Sequence, residues 1–172
     1  MAFTVEDGSG VVGANSYTTV AFADAYFEER GNAVWAAIAD DADKEKLLIQ
    51  ATDYIELIYC RRFIGDMVAT DQALSWPRNY ADPYPNDAIP LALQKACAEY
   101  ALRANDGPLL PDPTVDANGF ASVVKRKKIG PIEKEFEVMN GGKVYVVRSY
   151  PVPDGYMYKL LAPGTYGNRV IR

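Results

Sequence analysis

Asp40-Asp41-Ala42-Asp43-Lys44-Glu45-Lys46-Leu47-Leu48-Ile49-Gln50-Ala51-Thr52-Asp53-Tyr54-Ile55-Glu56-Leu57-Ile58-Tyr59-Cys60 is the stretch that decides the fold. Within it Leu47, Leu48, Ala51, Tyr54, Ile55 and Ile58 recur at the spacing of one helix face. Asp40, Asp41 and Asp43 crowd the start, where the positive end of the helix dipole stabilises carboxylates. The spacing predicts an amphipathic core helix of roughly five turns. A divalent cation on the three aspartates is the rival reading, but a helix start already explains them.

Upstream, Thr19 is a plausible N-cap for a helix from about Val20 to Arg30, with Phe22 and Tyr26 one turn apart and Gly31 as its left-handed stop. Asn32 can cap a short helical piece through Val34, Trp35 and Ile38. The first fifteen residues, with Gly8, Gly10 and Gly13, read as an extended arm. The run Gly8-Ser9-Gly10-Val11-Val12-Gly13 lacks both a preceding βαβ strand and a following Gly-Lys-Ser/Thr, so it is not a phosphate loop.

Downstream, Pro77, Pro83 and Pro85 forbid a long helix between Arg61 and Ile89. There Gln72-Ala73-Leu74-Ser75-Trp76-Pro77-Arg78 reads as a packed turn closed by Trp76. Pro90 opens another helix whose apolar face is Leu93, Ala96, Cys97, Tyr100, Ala101 and Ala104, ended by Asn105-Asp106-Gly107-Pro108. Residues 105–119 are a Pro-, Asp- and Gly-rich linker. Beyond it the period changes to two: Ser122 to Ile129 and Ile132 to Val138 read as strands joined at Gly130-Pro131, with a third candidate from Lys143 to Ser149. A short helix is expected from Asp154 to Leu161. The fold class expected is mainly α (α+β): a compact helical bundle with a β-hairpin or small sheet near the C-terminus and extended terminal arms. Its parts are an arm (1–15), a helical body (16–110), and a hairpin with a C-terminal arm (111–172) packing on the body or on neighbours.

Composition narrows the function. The 172 residues contain no histidine, which excludes Ser-His-Asp and Cys-His triads and any His metal ligand. No convergent polar constellation replaces them, so a non-enzymatic protein without cofactor or bound metal is expected. Cys60 and Cys97 stand apart in apolar helical patterns and read as buried reduced thiols. No apolar run approaches the ~20 residues of a membrane span. Met1-Ala2-Phe3-Thr4-Val5-Glu6-Asp7 lacks the regions of a signal peptide, and the expectation is a protein made in the cytoplasm. The net charge of −5 is uneven: residues 1–120 carry 8 Lys+Arg against 19 Asp+Glu, whereas 121–172 carry 10 against 4. An acidic body with a basic C-terminal third suits a protein that meets a charged neighbour or its own copies head to tail.

Several segments, in the same order from residue 5 to about 138, resemble one family. They are Val5-Glu6-Asp7-Gly8 with Ala14-Asn15-Ser16-Tyr17; Ala23-Asp24-Ala25-Tyr26-Phe27 ending in Arg30-Gly31; Ala51-Thr52-Asp53-Tyr54-Ile55; Gln72 to Arg78; Ile89-Pro90 leading to Ala96-Cys97-Ala98-Glu99; and Val124-Lys125-Arg126 with Ile129-Gly130-Pro131-Ile132-Glu133. The sequence is thereby similar to phage and prophage proteins encoded among head and tail genes, often labelled DnaT-like single-stranded DNA-binding proteins. The resemblance implies a head-tail connector or adaptor of a tailed bacteriophage: a dodecameric ring in the neck of the virion, between the portal and the tail or stopper, around the DNA channel. The departures are Phe22, where the family usually carries an acid, and a longer, more basic segment from Gly141 to Arg172.

Candidate subunit, portal or DNA contacts are Lys125, Arg126, Lys127 and Lys128, with Tyr156, Tyr158, Arg169 and Arg172 in the basic, tyrosine-rich C-terminal third. The Lys125–Lys128 run fits a contact with an acidic neighbour, a solvated edge strand kept soluble by lysine, or DNA phosphates. In a regular strand Lys125 and Lys127 share one side and Arg126 and Lys128 the other. Glu133, Glu135 and Glu137 alternate as a solvated stripe. Trp35 and Trp76 are expected in packing rather than facing a partner. Tyr145, Tyr150, Tyr156, Tyr158 and Tyr166 suit an interface or stacking within the β arm. The principal alternative function is single-stranded DNA binding in replication.

Overall fold

The structure, a computed structural model, describes residues 2–112, 122–128, 133–138 and 148–163. The deciding stretch forms α3 (Asp41–Tyr59), and the Asp40 carboxylate caps it by accepting from the Ala42 amide at 2.9 Å. Asp41 and Asp43 lie in its first turn and face Lys44 and Lys46 at 3.8 and 2.7 Å. Among the described residues no group of three or more metal-ligating side chains is gathered. The buried face of α3, centred on Leu48, Ala51, Tyr54 and Ile55, packs on α4 (Leu91–Ala104). Small residues Ala96, Cys97 and Ala101 let the two helices approach, and Thr52 Oγ1 lies 3.4 Å from Cys97 Sγ. Leu48 is fully buried; shortening it to Ala costs about 2–5 kcal/mol through lost transfer energy and a cavity.

Two short helices precede this pair. α1 (Val20–Glu28) is capped by Thr19, whose Oγ1 accepts from the Phe22 amide at 3.0 Å. It ends two residues before Arg30, because Arg30 and Gly31 donate to Phe27 and Glu28 carbonyls in a tighter turn. α2 (Ala33–Ala36) starts under the Asn32 side chain, which accepts from Val34 and Trp35 amides at 3.1 and 3.0 Å. Trp35 is buried beside Phe27, ring centroids 5.0 Å apart.

The proline-rich stretch contains a two-residue ribbon in which β1 (Asp66–Met67) pairs antiparallel with β2 (Arg78–Asn79). Periodicity could not announce strands this short. Gly65 has φ +70° and an added Cβ would stand 2.1 Å from the Asn79 carbonyl oxygen, so the ribbon closes only over glycine. Buried Arg78 donates to the carbonyls of Ile64, Gly65 and Ser75 at 2.7, 2.6 and 3.1 Å. Glu56 of α3 accepts from Tyr17 Oη and, at 2.5 Å, from Ser75 Oγ, tying the turn around fully buried Trp76 to the bundle.

The N-terminal segment is held by its own side chains. Glu6 is buried, and its carboxylate accepts from the amides of Gly8, Gly10 and Val11 at 2.9, 2.9 and 2.8 Å. Val5 bridges Ser16, and Ala14 joins the core. The carboxylate satisfies three amides at once.

The chain divides into two units, Met1–Leu109 with Ser149–Arg172, and Leu110–Arg148. In the second, β3 (Ser122–Lys128) and β4 (Glu133–Val138) form an antiparallel pair, at the two strands expected there. The third candidate strand lies, apart from Arg148 and Ser149, outside the described residues. In the first unit, α5 (Pro151–Met157) precedes a single 3-10 turn, Tyr158–Leu160. It begins three residues before the expected Asp154, because prolines in a first turn need no amide partner. The described elements are mostly helical and the described sheets are two-stranded, so the mainly α (α+β) class holds. Cys97 is buried as expected. Cys60 is only half-buried, because it begins the 3-10 turn Cys60–Arg62 where the helical period stops.

Candidate functional site

The hairpin register reorganises the basic run. Arg126 stands opposite Glu135, Lys128 opposite Glu133, and Lys127 opposite Lys134. A register shift between Val124 and Arg126 takes Lys125 out of the regular alternation, so Lys125 and Lys127 are not a simple i, i+2 pair. Directly opposed residues are the unit of cross-strand interaction. Two of the four cations therefore have a carboxylate residue as their ladder partner, while Glu137 stands opposite Val123. The like-charge position is Lys127 with Lys134.

α5 is tied down by one buried carboxylate. Asp154 Oδ1 accepts from Tyr100 Oη at 2.6 Å and Tyr59 Oη at 3.1 Å. Its Oδ2 accepts from the Tyr150 amide at 2.9 Å and Ser149 Oγ at 3.3 Å. Burial pushes the Tyr59 phenol up to about 12 and raises that of Tyr100 further. Next to this knot, Glu99 accepts from Tyr26 Oη at 2.8 Å and from Arg103 at 2.6 Å. Tyr156 is half-buried with its hydroxyl 3.4 Å from that of Tyr26. Of the two tyrosine candidates, Tyr156 is half-buried against Tyr26, while Tyr158 is 46% exposed. Arg169 and Arg172 lie outside the described residues.

An exposed, tyrosine-bearing end of mixed charge forms where α3 finishes. The Ile64 amide donates to the Leu160 carbonyl at 3.0 Å and the Ala162 amide to that of Arg62 at 2.8 Å. Tyr84 Oη donates to the Lys159 carbonyl at 3.4 Å. Around these contacts Arg61, Lys159 and Tyr158 are exposed, together with Asp66 and Asp82. Tyr80 stands 89% exposed with φ +56° in a loop that bounds a shallow hollow with Tyr84 and Pro85. Sequence reasoning missed Tyr80: Asn79-Tyr80-Ala81-Asp82 has no periodicity, and its left-handed backbone is unusual for a tyrosine.

The opposite end of α3 is acidic. Asp40, Asp41, Asp43, Glu28 and Glu29 are exposed there, and the cations beside them are Arg30, Lys44 and Lys46, each already near a carboxylate. The body is thus electrically uneven along a helix of 19 residues. Among the described residues no helix is long and apolar enough to cross a membrane.

A family model described as "Putative DnaT-like ssDNA binding protein" matches residues 1–172. No curated protein and no solved structure matches the chain.

Proposed function

The chain belongs to the DnaT-like ssDNA-binding family, and we propose for it a non-enzymatic role as a structural subunit: the head-tail connector, or adaptor, of a tailed bacteriophage. In this reading identical copies close a ring, twelvefold by resemblance, between the portal and the tail or stopper. DNA passes through the channel without sequence-specific contact, and the working location is the neck of the virion. The observation that carries it is the hairpin register, which sets Arg126 and Lys128 opposite Glu135 and Glu133, so that two of the run's four cations have an acidic ladder partner. The acidic start of α3 supports it too, since copies meeting head to tail can set it against a neighbour's basic C-terminal third. An acidic channel wall lets DNA slide, because it offers phosphates no cationic partner.

The family description favours the second reading, single-stranded DNA binding in replication. The exposed rings of Tyr80 and Tyr158 beside Arg61 and Lys159 favour it as well, because bases stack on aromatics while cations hold the backbone. Charge reversal of Lys125, Arg126, Lys127 and Lys128, with a single-stranded DNA titration at two salt concentrations, separates the two. Negligible DNA affinity before and after reversal, with particle assembly lost, is the connector result. Tight binding that falls steeply with salt and disappears on reversal assigns the protein to replication.

A further inference from the structure

The chain leaves the helical body after Leu109, beyond the end of α4, and re-enters it at Ser149, ahead of α5. Leu110–Arg148 between these stems form the second unit, which holds the hairpin. The two stems meet within the body. Leu109 is buried, and its carbonyl accepts from Tyr150 Oη at 3.0 Å. The Tyr150 ring stands edge-on to Tyr54 of α3 and Tyr100 of α4, its centroid 5.9 Å from each. Its amide and Ser149 Oγ both donate to Asp154 Oδ2 at the start of α5. Tyr150 thus joins the outgoing stem, both long helices and the returning stem.

The rest of the returning segment carries its own anchorage. Asp154 Oδ1 accepts from Tyr59 and Tyr100, and Met157, Leu160 and Leu161 are buried. At the far end the Ile64 amide donates to Leu160 and the Ala162 amide to Arg62. All of these partners lie in the body. The entropy of closing a flexible excursion rises only slowly with its length, so a body shut across the stems tolerates a long one.

We propose that the bond from Tyr150 to Leu109 is a latch that shuts the body across the two stems, and that Leu110–Arg148 is an appendage on which the fold of the body does not depend. A partner that loads or displaces the hairpin then acts on an appendage whose base stays closed. The basic run is free to serve recognition, because the bonds that hold α3, α4 and α5 together lie outside it. The inference goes beyond both functional readings and holds under either.

The test cuts the full chain after it has folded. Recognition sites for a specific protease are inserted after Val115 and after Gly142, both outside the described residues. Cleavage frees the hairpin piece and leaves residues 1–115 and 143–172 as separate pieces. We expect these two to stay together through gel filtration, with slow hydrogen exchange kept at the Tyr150 and Asp154 amides. Tyr150→Phe keeps the ring and removes the latch hydroxyl, and should weaken retention of the C-terminal piece about fivefold. Separation of the pieces on cutting, or fast exchange at those amides, would show that the body depends on the hairpin and overturns the proposal. Retention unchanged by Tyr150→Phe overturns the latch. The readout is the integrity of the body, so it stands apart from whether the intact chain joins portal rings or binds DNA.

Discussion

Tyr100 of α4 donates its hydroxyl to the buried carboxylate of Asp154 in α5 at 2.6 Å, across 54 residues of sequence. With Tyr59, Tyr150 and Ser149 it completes four bonds to one side chain. Asp154→Ala leaves the Tyr59 and Tyr100 hydroxyls without that acceptor in the core and should cost about 2–4 kcal/mol. Tyr100→Phe removes one bond and should cost about 1 kcal/mol. Chemical denaturation of both variants checks the ranking. Equal, negligible losses would show that α5 is held by apolar packing alone.

The N-terminal clasp makes a local claim. Glu6→Ala strips the partner from the amides of Gly8, Gly10 and Val11, so their hydrogen exchange should accelerate together while the α3–α4 core keeps its protection. Glu6→Gln has one carbonyl oxygen and should give an intermediate result. Unchanged exchange in Glu6→Ala would mean that the clasp is held by other contacts.

Alkaline pH should unfold the protein. Burial pushes the Cys97 thiol from its ordinary 9.0 up to about 11 and the Tyr59 phenol from 10.0 up to about 12, and raises Tyr100 and Tyr17 in the same direction. Between these values the native state keeps protons that the unfolded chain has released. Stability is therefore complete below about pH 9 and lost as pH rises from 9 to 12. Melting temperature against pH, with phenolate absorbance alongside, reads this directly. A flat melting temperature to pH 11.5 contradicts it.

The two thiols should separate kinetically. Cys97 is fully buried with its thiolate disfavoured, whereas Cys60 is half-buried. At neutral pH one cysteine should alkylate quickly and the second only on unfolding. Two fast thiols would show that the Thr52–Cys97 contact opens readily in the native state.

The bundle could be read in advance because its helices carry their own signals: the Asp40 cap, the apolar stripe from Leu47 to Ile58, and Thr19 and Asn32 before their helices. α5 starts earlier than its sequence announces, because Pro151 and Pro153 look like breakers yet occupy its first turn. The ribbon of Asp66–Met67 with Arg78–Asn79 is too short for any period. The polar knots at Glu6, Glu56 and Asp154 depend on residues far apart in sequence, which periodicity cannot join. For the candidate site, the basic run is legible in the sequence, whereas its pairing with Glu133 and Glu135 depends on the register. Tyr80 gave no signal.

Electron microscopy of the protein mixed with portal rings of a tailed phage tests the central proposal most directly. The connector account predicts an added ring of this protein on the portal, in a sample whose single-stranded DNA affinity is negligible at physiological salt. Bare portals, together with tight and steeply salt-dependent DNA binding, would contradict it and give the protein to replication.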